Sequence, residues 1–209
     1  MKKTDNNINY LKKLKILERA KKFIRKNGWS KDVLKNLTND GVSSSDLVYF
    51  FPNGYEDLLN LSLQEINKSL EKKVKKINII SFSLSKRIKK ILMMRIEILN
   101  KDKNFYKKTF NHLLLPHNSK ILKKNLYYSV DNMWYFAGDN STNFSFYTKR
   151  FTLSLIYINA LFVLFNKSYN EVELNIDKNL KRISRIPKIK DRFSFIKNNI
   201  PLFLKGFLN

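Results

Sequence analysis

Turn-forming residues are nearly missing from this chain: five glycines and four prolines are spread over 209 residues. A sandwich or barrel needs a turn at the end of every short strand. Long helices need few turns, and both residues are disfavoured inside them. The chain is therefore read as all-α. With 43% hydrophobic and 13% aromatic residues it has ample material for one packed domain.

Apolar spacing places the helices. Leu11, Leu14, Leu17, Ala20 and Ile24 recur at helical intervals, and Asn27-Gly28 stops that helix. Ser30 is placed to cap the next, with Trp29 and Leu34 in the staple positions, and Val33 and Leu37 continue it. A turn at residues 39–41 precedes a third short helix, capped within residues 43–45 and running to Phe50. Three short helices with a glycine-bearing turn form a helix-turn-helix layout. Pro52-Asn53-Gly54 breaks the chain before a long helix with Leu58, Leu59, Ser62, Ile66 and Leu70 on one face. Further helices are expected over residues 85–100, with Ile88, Ile91, Leu92, Arg95, Ile96 and Leu99 in register, then 103–114 and 119–137. A polar connection over residues 138–144, with Asp139, Ser141 and Thr142 as candidate caps, leads to an apolar helix ending at Asn166, and a last helix covers residues 169–186. Pro187 then marks a boundary. The organisation expected is a helix-turn-helix-like part (1–54), a helical body (55–187) and an amphipathic basic tail (188–209).

The longest apolar run, residues 151–165, is about 22 Å long as a helix, short of a ~30 Å hydrocarbon core. Because it is apolar nearly all round, it is expected to be a core helix buried on every side. The basic first fifteen residues lead into more charge without an apolar stretch, so no secretory signal is read there, and the protein is expected to be soluble or peripheral.

Several chemistries are excluded. Without cysteine there is no thiolate nucleophile or sulfur-ligated metal, and His112 and His117 are the only histidines. Glu-x-x-His, the pairing that builds di-iron carboxylate sites, does not occur. No catalytic residue, metal or cofactor is assigned. The net charge of +24 points to a polyanion, either nucleic acid or an anionic membrane. A bias toward Lys, Asn and Ile, as an AT-rich genome produces, accounts for it equally well.

The order of elements and the junction Val48-Tyr49-Phe50-Phe51-Pro52-Asn53-Gly54-Tyr55 resemble the TetR-type repressors. The segment standing for their recognition helix, residues 44–50, holds no Lys, Arg, Asn or Gln to read a base edge. A DNA-binding regulator with a small-molecule pocket is the alternative reading, and no specific nucleic acid is expected as partner.

A longer pattern is more specific. Leu114-Leu115-Pro116-His117-Asn118, and the stretch from Asp131-Asn132-Met133-Trp134 through Ala137-Gly138-Asp139-Asn140-Ser141-Thr142-Asn143 to Phe146-Tyr147-Thr148-Lys149-Arg150, resemble a ubiquinone-biosynthesis accessory family, the lipid-binding coenzyme Q biosynthesis protein nine family. The chain departs from the family pattern at Asn143 (Asp in the family), Ser145 (Asn) and Phe146 (Trp).

The resemblance implies a non-enzymatic, TetR-like helical homodimer that holds an isoprenoid quinone lipid in an apolar cavity and presents it to the demethoxyubiquinone hydroxylase. Carried onto this sequence, the hydroxylase-facing patch is Asp131, Met133, Asn143, Phe146, Tyr147 and Arg150. The lipid-lining candidates are Leu92, Ile96, Phe151, Leu155, Ile158 and Phe162. The tail supplies a membrane-binding segment with Phe193, Ile196, Lys197, Ile200, Phe203, Leu204 and Phe207, apolar residues interleaved with charge as interfacial helices are. The location implied is the bacterial cytoplasm, peripheral on the inner membrane, or the matrix side of a mitochondrion. Trp134 is expected in the core, and His117 in a solvent-facing turn.

Overall fold

A computed structural model describes residues 2–185, with side chains from 7 to 182. The candidate membrane-binding residues Phe193, Ile196, Lys197, Ile200, Phe203, Leu204 and Phe207 lie outside the described residues. Among those described, every regular element is helical: α1 Lys2–Asn27, α2 Asp32–Asn39, α3 Ser44–Phe50, α4 Tyr55–Val74, α5 Leu84–Asn100, α6 Lys103–Leu113, α7 Ser119–Phe136, α8 Asn143–Asn166 and α9 Tyr169–Arg185. Short 3-10 turns at Ile79–Ser81 and Pro116–Asn118 join α4 to α5 and α6 to α7. The all-α expectation holds.

Local chemistry explains the boundaries. Gly28 adopts φ 82°, a left-handed value that only glycine takes without strain, and its N–H donates to the Ile24 carbonyl at 2.8 Å to close α1. The Ser30 hydroxyl accepts from the Asp32 N–H at 3.2 Å, capping α2 as its spacing implied. The serines at the start of α3 behave otherwise: Ser43 and Ser45 bond each other at 2.7 Å, and Ser43 makes no side-chain cap.

The centre of the bundle is α5, which packs against α4, α6, α7, α8 and α9. Its buried Ile88, Ile91, Leu92, Ile96 and Leu99 follow the register seen in the sequence. Burying a Leu or Ile side chain contributes ~1.5–3 kcal/mol, so this face dominates the core. The first three helices join the same continuous cluster through Leu17, Ile24, Val33, Leu37 and Phe50. Trp29 anchors them, donating from Nε1 to the Thr109 hydroxyl at 3.0 Å and packing 5.9 Å from the Phe105 ring.

One expectation about α8 is corrected. It is not buried on every side. Leu153, Ile156, Tyr157, Ala160, Leu161 and Leu164 face the bundle, whereas Phe151, Leu155 and Phe162 are 57%, 55% and 45% exposed. The reason is position: α8 lies at the edge, held by α5, α7 and α9, and no described element covers its outer side. Starting at Asn143, within the expected polar connection and well ahead of the apolar run, α8 reaches 24 residues, long and apolar enough to cross a bilayer by length and composition. Its packed inner face and the buried Arg150 tie it to the other helices.

Candidate functional site

The connection between α7 and α8 is organised by one carboxylate. Asp139 has a side chain 2% exposed and bonds Lys149 at 2.6 Å, the Ser141 hydroxyl at 2.6 Å and, more loosely, Arg150 at 3.4 Å. Burial works to raise the Asp139 carboxyl. The bonds from Lys149 and Ser141 outweigh it and hold the group below its ordinary value. Arg150, itself buried, also binds Asp131 on α7 at 2.6 Å and places its guanidinium 3.3 Å from the centre of the Phe146 ring.

Asn143 begins α8 at φ 56°, a left-handed conformation that asparagine tolerates better than most residues. From Asn143 the helix carries Phe146 and Tyr147 outward in a T-shaped pair 5.2 Å apart, with Tyr147 59% exposed. Underneath, Arg87 on α5 staples the corner by donating to the carbonyls of Phe82, Ile80 and Ala137 at 2.6, 2.7 and 3.0 Å.

Five of the six residues assigned to the hydroxylase-facing patch therefore meet at one corner: Asp131, Asn143, Phe146, Tyr147 and Arg150. Tyr147 and Asn143 are open to solvent, while Arg150 is turned inward as the tie between α7 and α8. Met133 lies beneath, fully buried in the core. Trp134 packs partly buried against the core with Lys149 5.4 Å from its ring, and His117 stands exposed in its 3-10 turn. Asp139, which sequence reasoning treated only as a helix cap, is the hub. Two cations ten and eleven residues downstream, on the helix it precedes, were the available signal.

The structure does not bring the six lipid-lining candidates together. Leu92 and Ile96 are core residues, Phe151 and Leu155 face outward, and the half-exposed Phe162 packs edge-on against Phe110 of α6 at 5.2 Å. Only Ile158 reaches the cavity, a narrow, partly open space of about 70 Å³ lined by α4, α5, α6, α7 and α8. Its apolar wall includes Leu63, Leu99, Phe110, Leu126 and Phe165, residues whose role spacing did not reveal because each also reads as ordinary core. Its polar wall includes Arg95, Tyr106, Ser129 and Tyr157. Burial pushes the Tyr106 hydroxyl up to about 12, so it stays a neutral donor.

One wall of this cavity is thinly held. No residue in positions 119–128, the first half of α7, is buried, whereas Ser129, Val130 and Met133 in its second half are. Ile121, Leu122 and Leu126 in the first half are only partly buried against the core, and a segment packed so shallowly is where local opening costs least.

At the other end of the fold, α3 exposes Val48 and Tyr49, 72% and 70% accessible, and presents no amide or cation where a base edge would be read. Among the described residues no group of three or more His, Cys, Asp or Glu side chains is arranged to hold a metal ion.

Residues 120–187 match the COQ9 family model. The ubiquinone biosynthesis protein COQ9, mitochondrial, of Homo sapiens is 27% identical over 166 residues, 76% of this chain and 52% of that protein. COQ9-B of Xenopus laevis is 30% identical over 173 residues, 76% of this chain and 57% of that protein. The probable coq9 protein of Dictyostelium discoideum is 25% identical over 169 residues, with coverages of 75% and 53%. The chain spans about half the length of these curated relatives. Across α7, α8 and α9 the chain matches the COQ9 family model, and over three quarters of its length it is similar to curated COQ9 proteins.

Proposed function

We propose that this chain acts in ubiquinone biosynthesis as a non-enzymatic accessory protein. It binds an isoprenoid quinone intermediate at a membrane surface and presents it to the demethoxyubiquinone hydroxylase. One observation carries the reading. The segment that matches the family supplies both the loosely held wall of the cavity, on α7, and the exposed aromatic corner, at the start of α8. Lipid handling and partner docking then belong to adjacent parts of one unit. At about 70 Å³ the cavity, partly open to the surface, admits the tip of a ring and not a whole lipid, so uptake of a whole lipid calls for the first half of α7 to move away from α6 and α8.

The outer face of α8 fits two roles along its length. Phe146 and Tyr147 form an aromatic knob of the kind that dominates binding energy at interfaces. Phe151, Leu155 and Phe162 continue as an apolar stripe on which two copies pair as a homodimer. The net charge of +24 favours an anionic lipid surface, each lysine or arginine near it adding ~1 kcal/mol. The protein is then peripheral, on the inner membrane of a bacterium or the matrix side of a mitochondrion.

The test combines two measurements on the full chain. Solvent extraction followed by mass spectrometry should find an isoprenoid quinone or its demethoxy precursor near stoichiometric amount, and only generic phospholipid would refute the carrier role. Tyr147→Ala should abolish capture of the hydroxylase while leaving the helical circular dichroism unchanged, and normal capture would refute the docking role. Arg150→Glu is the poorer probe, because it sets three carboxylates together at residues 131, 139 and 150.

A further inference from the structure

Arg95 is a charged residue in the innermost helix, in register with Ile88, Ile91, Leu92 and Leu99, and it is only 2% exposed. Among the described residues no carboxylate lies within ion-pair distance of it. Its bonds go instead to neutral oxygens on three other helices. Nε donates to the Tyr157 hydroxyl at 2.8 Å, Nη1 to the Asn67 side-chain carbonyl at 2.7 Å, and Nη2 to the Ser129 hydroxyl at 2.6 Å. A guanidinium carries five N–H groups, so two have no acceptor among the described residues. Burying a cation without a counter-charge is costly, and a well-packed aliphatic residue at such a position is commonly as stable or more so. Its bonds tie α5 to α4, α7 and α8, and its guanidinium lies 5.2 Å from the centre of the Tyr157 ring, yet neutral polar partners leave the charge itself unpaired. The cavity accounts for an arginine here, because Arg95 forms part of its wall.

We propose that Arg95 is the polar recognition group of this cavity, its free N–H groups taking a ring oxygen, carbonyl or phenolic, of a quinone-type lipid head. This rests on the lipid-carrier reading and specifies which end of the lipid enters and what holds it. The arrangement suits that task. Tyr157, Ser129 and Asn67 fix the guanidinium plane from three sides, and Leu63, Leu99, Phe110 and Phe165 form an apolar wall beside the polar Tyr106, Thr109 and Asn125. An oxygen arriving there meets an oriented cation with no counter-charge, and a hydrocarbon of the same shape gains nothing from it.

The experiment is isothermal titration of the full chain with decylubiquinone and with chain-matched decylbenzene in the same detergent, using oleate as competitor. The wild-type protein should prefer decylubiquinone by at least about tenfold, the discrimination expected of one hydrogen bond to a charged group. Arg95→Met should bring the two ligands to parity with decylbenzene binding unchanged. Arg95→Lys, which keeps the charge but loses the fork, should lose several-fold of the preference and carries the test if the Met variant does not fold. A merely structural arginine would alter the melting temperature and leave the preference intact, and that result overturns the proposal. Equal binding of both ligands by wild-type protein overturns it while leaving the carrier reading in place. Binding of neither removes both. Oleate displacing decylubiquinone in an Arg95-dependent way overturns the ring-oxygen assignment in favour of a fatty-acid carboxylate.

Discussion

Replacing Asp139 by asparagine keeps the shape of the α7–α8 corner and removes its central charge. Stranding a buried ion by deleting its partner costs ~3–5 kcal/mol. Here both cations have an escape. The Lys149 side chain is already 33% exposed and can turn to water, and Arg150 keeps Asp131 at 2.6 Å. The expected loss is therefore about 1–2 kcal/mol, which for a chain of this size lowers the melting temperature by roughly 3–6 °C. The sign with pH follows from the lowered Asp139 carboxyl. Its contribution is fully present above the unfolded value, ~3.9, and is lost as pH falls through the lower folded value. Thermal unfolding followed by circular dichroism should show the gap between wild type and Asp139→Asn at pH 7, undiminished down to about pH 5 and closing below pH 4. Equal melting temperatures at pH 7, or a gap that persists in strong acid, would refute the charge-hub account of this corner.

Three other outcomes follow from the same geometry. Gly138→Ala should cost about 1–2 kcal/mol in denaturant unfolding, because Gly138 sits at φ 74° and a Cβ there would lie 3.3 Å from Nη1 of Arg87, whose guanidinium three carbonyls hold in place. Phe105→Ala should cost ~3–5 kcal/mol by the same assay, since the ring is fully buried between Trp29 and Tyr106. A loss under 1 kcal/mol would mean that the junction of α1 and α6 is looser than described. Leu155→Lys, on the open face of α8, should leave stability within about 0.5 kcal/mol while shifting sedimentation from dimer to monomer, and an unshifted dimer would exclude this stripe as the pairing face.

The helices were legible because the forces that place them are local. Scarce glycine and proline, the stop at Gly28, the Ser30 cap and the register of α5 act within a few residues of chain, and all appear as expected. The residues of the aromatic corner were named by the family resemblance, and their meeting has a local cause. Asp131, Asn143, Phe146, Tyr147 and Arg150 lie within twenty residues, and a helix, a turn and a helix must bring them near one another. The cavity was not legible, because its walls come from five helices spread over a hundred residues.

Arg95 marks the boundary between the two kinds of information. The sequence places a cation on the core face of α5, since helical period alone puts it in line with Ile88, Ile91, Leu92 and Leu99. Whether that cation meets a carboxylate, and so reads as an internal ion pair, or meets only Tyr157, Asn67 and Ser129, and so keeps donors to spare, depends on which faces of α4, α7 and α8 turn toward it. The same holds for α8. Its composition determined an apolar helix, but an apolar surface is satisfied equally by a helix, a lipid or a second copy. Only the tertiary arrangement decided that Ile156 and Leu164 are covered while Phe151, Leu155 and Phe162 are left open, because burial is a property of neighbours and periodicity is a property of the chain.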